Sequence, residues 1–242
     1  MHHSMHFNDE SIVDLRSNRF EGPLPRWPSN VTQLYLGDNM FFGPIPQGIG
    51  EEMPLLNSLD ISFNYLNGSI PLSLGNLQSV SNLAISNNHM SGVIPGIWNS
   101  LKALQYLDIS NNILSGKIPS SIGSLEYVSF LFLGRNEFSG QVLSSLQNCI
   151  SMAILDMGDN RLSGNLPSWI EEAMPSLLIF REGNNSFTGH IPWQLCRLSS
   201  LHILDLSNNN LSGIIPCLGN LSGFNTDDQD FWFKIYDYER SL

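Results

Sequence analysis

Apolar positions recur along the chain in one repeated phrase, within which the spacing changes from that of a strand to something tighter. In "LDLSNNNLSGIIP" (Leu204–Pro216) the opening residues alternate apolar and polar, as a short strand with one buried face requires. Three asparagines, a glycine and a proline follow, a mixture that suits neither a strand nor a helix interior. The glycine of this phrase, Gly213, has counterparts at Gly22, Gly43, Gly68, Gly92, Gly116, Gly140, Gly164 and Gly189. The intervals are 21, 25, 24, 24, 24, 24, 25 and 24 residues. Four residues before each glycine stands an asparagine: Asn18, Asn39, Asn64, Asn88, Asn112, Asn136, Asn160, Asn185 and Asn209.

A period of this length predicts a solenoid in which each repeat forms one coil. The strand of each coil lies beside the next, about 4.8 Å away, and together they make a parallel sheet. The asparagine turns the chain inward, its amide satisfying backbone groups that burial would otherwise leave unpaired. Glycine serves the next bend, and the "IP" pair supplies an extended step with fixed φ. No coil can bury its leucines alone, so stability comes from stacking.

The consensus L-x-x-L-x-x-L-x-L-x-x-N-x-L-S-G-x-I-P resembles the plant-specific class of extracellular leucine-rich repeats, over roughly residues 11–222. "PLPRWPSNVTQLYLGDNMFFGPIP" (Pro23–Pro46) resembles a shortened repeat of plant receptor-like proteins. "IPWQLCRLSSLHILDLSNNNLSGIIPCLGNLSGF" (Ile191–Phe224) is similar to the segment before their non-repeat island. The nearest likeness is to the subgroup that includes the fungal-xylanase receptor. The resemblance implies an α/β repeat solenoid: a right-handed leucine-rich-repeat superhelix of about nine repeats, with a parallel β-sheet on the concave face. It also implies an exported, glycosylated ectodomain tethered by one C-terminal helix, which signals through a kinase-bearing co-receptor. The family's signal peptide, cysteine-bearing cap, membrane helix and cytoplasmic tail have no counterpart here. The chain therefore reads as an internal piece of a longer receptor. Residues 1–10 are expected to be a disordered, uncapped end, 11–222 the solenoid, and 223–242 the start of the island.

Composition narrows the function. Of 242 residues 42% are hydrophobic, enough for a substantial core, and a net charge of −11 argues against nucleic acid or anionic lipid as partner. No apolar run approaches the roughly 18 residues of a membrane span. Nucleophile-elbow, phosphate-loop, zinc and kinase motifs are all missing, so no catalytic residue, metal or cofactor is expected.

Binding is expected on the outward strand positions of the concave face. One column runs Gln33, Ser58, Asn82, Tyr106, Phe130, Ile154, Ile179, Ile203, and the next contains Asp108, Phe132, Asp156, Arg181 and Asp205. With Arg135 and Asp159 from a third column, the candidate ligand contacts are Tyr106, Asp108, Phe130, Phe132, Arg135, Asp156 and Asp159, with a protein or peptide as ligand. Aromatic side chains beside an arginine have the composition of a binding hot spot, while each aspartate has a structural alternative within its repeat. Five Asn-x-Ser/Thr sequons, at Asn30, Asn67, Asn184, Asn210 and Asn220, are acceptors for glycan if the chain is exported. Cys196 and Cys217 fall in successive coils and are a candidate disulfide or two small buried hydrophobes; Cys149 reads as a buried free thiol. Glu182 occupies the inward strand position filled elsewhere by Leu, Ile or Met, where a carboxylate would be desolvated. The leading function is the ligand-binding segment of a plant cell-surface receptor in immunity or development. A secreted inhibitor of microbial cell-wall hydrolases, or an inert truncated product, are the alternatives.

Overall fold

The computed structural model describes residues 11–142 and 144–216. The segments expected at 1–10 and 223–242, and Cys217, Asn220 and Leu143, lie outside the described residues. Nine strands, from Ser11–Asp14 to Ile203–Asp205, pair in parallel in strict chain order and form the concave sheet. A second parallel sheet runs alongside, also of nine strands, from Glu21–Gly22 through Met40–Pro44 and Tyr65–Gly68 to Asn210–Leu211. This second sheet is an addition to the one strand per repeat that the leucine spacing predicts. It forms because the residues after each ladder asparagine alternate again: Phe41, Leu66, Met90, Leu114, Phe138 and Leu162 point into the core between exposed or half-buried neighbours.

The far side of each coil is helical only in short pieces. Among the described residues the five 3₁₀ segments include Leu72–Asn76, Ser120–Ser124 and Trp193–Arg197, each preceded by an extended proline (Pro71, Pro119 and Pro192, φ −72°, −72° and −66°). The two 25-residue intervals carry single α turns instead, at Ile49–Glu52 and Ile170–Ala173. An α turn rises about 1.5 Å per residue against about 2.0 Å for 3₁₀, so it takes up one more residue without lengthening the coil. Each of these longer intervals carries a Glu-x-Met-Pro stretch, Glu51–Pro54 and Glu172–Pro175, whose methionines Met53 and Met174 end buried.

Asparagine amides join the coils. Asn136 is representative: its Oδ1 accepts the Leu114 N–H of the preceding coil at 3.0 Å. Its two Nδ2 protons are shared among the carbonyls of Ile109, Leu133 and Gly134 at 3.1–3.3 Å. The acceptor contact repeats from Asn39, which takes the Phe20 N–H, to Asn209, which takes that of Phe187. Between the coils runs one column of Leu, Ile, Phe and Met side chains with almost no exposure. Cys149 lies in it as a free thiol, its pKa pushed up to about 12 by burial.

Glu182 interrupts this column. Its side chain is fully buried and neither carboxyl oxygen has a hydrogen-bond partner. Burial, with the Asp156 carboxylate adding to it, holds the Glu182 pKa well above the ordinary value of 4.5.

Two predictions follow from this core. Asn136→Ala leaves the buried Leu114 N–H without its acceptor and should cost about 2–4 kcal/mol in denaturant unfolding; Asn18→Ala, at the exposed end of the ladder, should cost under about 1 kcal/mol. Glu182→Leu should raise Tm by about 4 °C, because an unpaired polar group gives way to an apolar one. The gain should depend on pH. The folded chain keeps a proton that the unfolded chain releases above about pH 4.5, so the wild-type protein loses stability relative to Glu182→Leu as pH rises from there, by up to about 1.4 kcal/mol per pH unit. Melting curves of both proteins between pH 4 and 8 read the difference.

Candidate functional site

The outward side chains of the concave sheet lie in cross-strand register, which converts sequence columns into continuous stripes. Tyr106, Phe130, Ile154, Ile179 and Ile203 are successive partners in one stripe. Asp108, Phe132, Asp156, Arg181 and Asp205 are partners in the next. The first stripe is apolar and closely packed. Tyr106 is 8% exposed, and its ring lies 5.6 Å from that of Phe132 and 6.3 Å from that of Phe130. Ile154 and Ile179 are also buried, with Phe130, Phe132 and Ile203 packed against them. Tyr106 thus presents little surface of its own beside the two phenylalanines.

The aspartates of the second stripe are partly structural. Each accepts the backbone N–H two residues on: Asp108 from Ser110 at 2.9 Å, Asp156 from Gly158 at 3.1 Å and Asp205 from Ser207 at 3.0 Å. These bonds stop the strand at the turn. Desolvation raises the pKa of Asp108 and Asp156, while hydrogen bonds from Ser207 lower that of Asp205. Gly183 leaves room for this arrangement, since a Cβ there would lie 2.8 Å from Asp205 Oδ1.

A third row comes from the residue just before each ladder asparagine. All nine of these residues, including Arg135, Asp159 and Asn184, have left-handed backbone, φ between 49° and 57°. The turn tips their side chains along the rim of the sheet. The second stripe and this rim enclose an open groove of about 560 Å³, in which Phe132, Arg135, Asp156 and Asp159 meet Arg181, Asn184 and Asp205. Arg135 lies 3.7 Å from Asp159, and Arg181 lies 3.6 Å from Asp156. Asn184 donates to Asp159 Oδ1 at 2.8 Å and accepts from Asn208. Four of the seven candidate contacts thus line the groove, and Tyr106, Asp108 and Phe130 do not. Arg181, Asn184 and Asp205 were absent from that set. The column reading exposed Arg181 and Asp205, but only the left-handed turn shows that the rim residue reaches the same space.

The sequons Asn30, Asn67, Asn184 and Asn210 are all exposed. Among the described residues there is no cluster of His, Cys, Asp and Glu able to hold a metal ion, and no helix long and apolar enough to cross a membrane. The candidate Cys196–Cys217 bridge falls outside the described residues at Cys217.

Two leucine-rich-repeat family models match this chain, one over residues 78–138 and the other over 55–77, 151–173 and 200–221, together more than half of it. Receptor-like protein EIX2 of Solanum lycopersicum is 38% identical over 76 residues, 31% of this chain and 7% of that protein. Receptor-like protein 34 of Arabidopsis thaliana is 35% identical over 90 residues, 32% of this chain and 9% of that protein. The chain thus spans less than a tenth of the length of either relative. Among solved structures, the plant peptide hormone receptor RGFR1 in complex with RGF2 aligns with TM-score 0.83 and 32% identity, over 86% of this chain and 34% of that one. The Arabidopsis receptor kinase HAESA ectodomain, in complex with an N-terminally extended IDA peptide, aligns with TM-score 0.81 and 35% identity, over 89% and 36%. With the asparagine ladder, the parallel concave sheet and these matches together, the chain belongs to the leucine-rich-repeat family, and its repeats are similar to those of plant receptor-like proteins.

Proposed function

We propose that this chain is the ligand-binding segment of a plant cell-surface receptor-like protein, exposed on the extracellular side of the plasma membrane and acting in immune or developmental signalling without catalysis. The observation that carries this reading is the concave groove, where an apolar stripe and a charged stripe run side by side across adjacent coils. An extended peptide, or an extended edge of a protein, fits such a surface: apolar side chains settle against Phe130 and Phe132, while Arg135, Asp159 and Arg181 offer charge-assisted hydrogen bonds. RGFR1 and HAESA, similar in fold, are solved with peptides bound, and HAESA also with the co-receptor SERK1. A kinase-bearing co-receptor is the corresponding partner for a receptor of this kind. The exposed sequons suit an extracellular surface.

The test is a peptide-display selection against the exported chain. Peptides that bind should lose about tenfold or more in affinity, roughly 1.4 kcal/mol, when Phe132→Ala or Arg135→Glu is introduced. Arg161→Glu, on the second sheet and paired there with Glu137, should leave affinity unchanged. Binders indifferent to both groove substitutions would overturn the reading. Inhibition of a microbial polygalacturonase by the chain would instead select the secreted-inhibitor alternative.

A further inference from the structure

The outer face of the second sheet changes character along the solenoid. Toward the C-terminal end its exposed positions are polar, as at Arg161, Ser186 and Asn210. Toward the N-terminal end they are large and apolar: Met40, Phe42 (52% exposed) and Tyr65 (54% exposed), with His89 beside them. Tyr65 and His89 rings lie 6.1 Å apart, and Phe42 is the cross-strand partner of Tyr65. An exposed apolar patch of this kind is unusual on a solvated surface and marks something that covers it.

A sequon lies inside the patch. Asn67-Gly68-Ser69 follows Tyr65 on the same strand, and residues two apart on a strand project from the same face. Asn67 is also the cross-strand partner of Pro44 on one side and His89 on the other. Its amide makes no hydrogen bond to the described residues, whereas Asn184 is held in the rim ladder by both ends of its amide and Asn30 donates to Ser11. Gly68, at φ +77°, turns the chain immediately after the acceptor and leaves it accessible. Of the five sequons only Asn67 has an aromatic residue two positions before it.

We propose that Asn67 carries an N-linked glycan whose first N-acetylglucosamine lies on the Tyr65 ring, with Phe42 and His89 flanking it, so that the patch is a bed for the protein's own carbohydrate. The inference rests on the extracellular location proposed above. In the attachment step the Asn67 Nδ2 displaces the diphosphate from C1 of a lipid-linked oligosaccharide. The Nδ2–C1 bond forms, the C1–O bond breaks with its electron pair going to the lipid diphosphate, and Nδ2 gives up one proton. The apolar C–H face of the sugar then covers the aromatic face, whose negative π cloud attracts those slightly positive hydrogens. Burial of both apolar surfaces adds to the contact.

Expression of the full chain with an export signal in plant cells, followed by glycopeptide mass spectrometry and melting curves, tests this. Asn67 should be occupied, and Asn67→Gln should lower Tm by about 2 °C or more. In the Tyr65→Ala background the same substitution should change Tm by less than half as much, while Tyr65→Phe should preserve the effect. The same variants made in bacteria, without glycan, should show no coupling between the two positions. An unoccupied Asn67, or equal effects in the Tyr65 and Tyr65→Ala backgrounds, would overturn the inference and leave the patch to a partner protein. Failure of the receptor reading would show in the peptide selection instead, with Asn67 occupancy untouched.

Discussion

A backbone that bends into its own core carries N–H and C=O groups away from water, and each must find a partner or the bend is not stable. In this chain the partner is one amide per coil. Each ladder asparagine between Asn39 and Asn209 accepts an N–H from the preceding coil and donates to carbonyls of both coils, so it closes its own turn and joins it to its neighbour. That double duty ties the pitch of the solenoid to the size of one side chain. Longer acids or amines would not reach the same set of atoms, and a hydroxyl lacks the second functional end. The near-constant interval of 24 residues is the consequence.

Fixed pitch has a functional result, because it keeps the strands in register and turns every outward position into a column. Phe130, Ile154 and Ile179 become one apolar stripe only because their strands align residue for residue. The charged stripe from Asp156 to Asp205 lies two residues further along each strand by the same rule. Individual residues along these stripes can be exchanged without disturbing the interior, which sees only the alternate positions. The scaffold is common to the family, and the surface is particular to this chain.

The repeat, the ladder and the inward column were legible in the sequence because each rests on a residue type with a single physical use. Asparagine at the bend and proline at the extended step, as at Pro119, leave little freedom. The second sheet was less legible, since two or three residues such as Asn210–Leu211 carry too short an alternation to stand out. The buried state of Tyr106 could not be read either: its position is outward, and its burial depends on neighbours such as Phe130 and Phe132 on the next strand. The groove's rim was partly hidden for a related reason. The direction of Arg135, Asp159 and Asn184 follows from a left-handed backbone; Asn and Asp, which favour it, fill six of the nine places, but Ser17, Phe63 and Arg135 fill the others and do not announce it.

Phe63 and Glu182 show how far the ladder separates backbone from side chain. A bulky aromatic residue at φ 50° pays a steric cost of about 1–2 kcal/mol, and a buried carboxyl without partners is costly as well. Both stand where the backbone is fixed by other atoms: Asn64 Nδ2 holds the carbonyls of Ile61 and Ser62 beside Phe63, and Asn185 and Asn209 hold the carbonyl of Glu182. The local penalty is therefore insufficient to displace a chain that its neighbours secure on both sides. A fold built this way accumulates unfavourable side chains without losing its shape, and the same tolerance lets new surface chemistry arise one residue at a time on an unchanged frame.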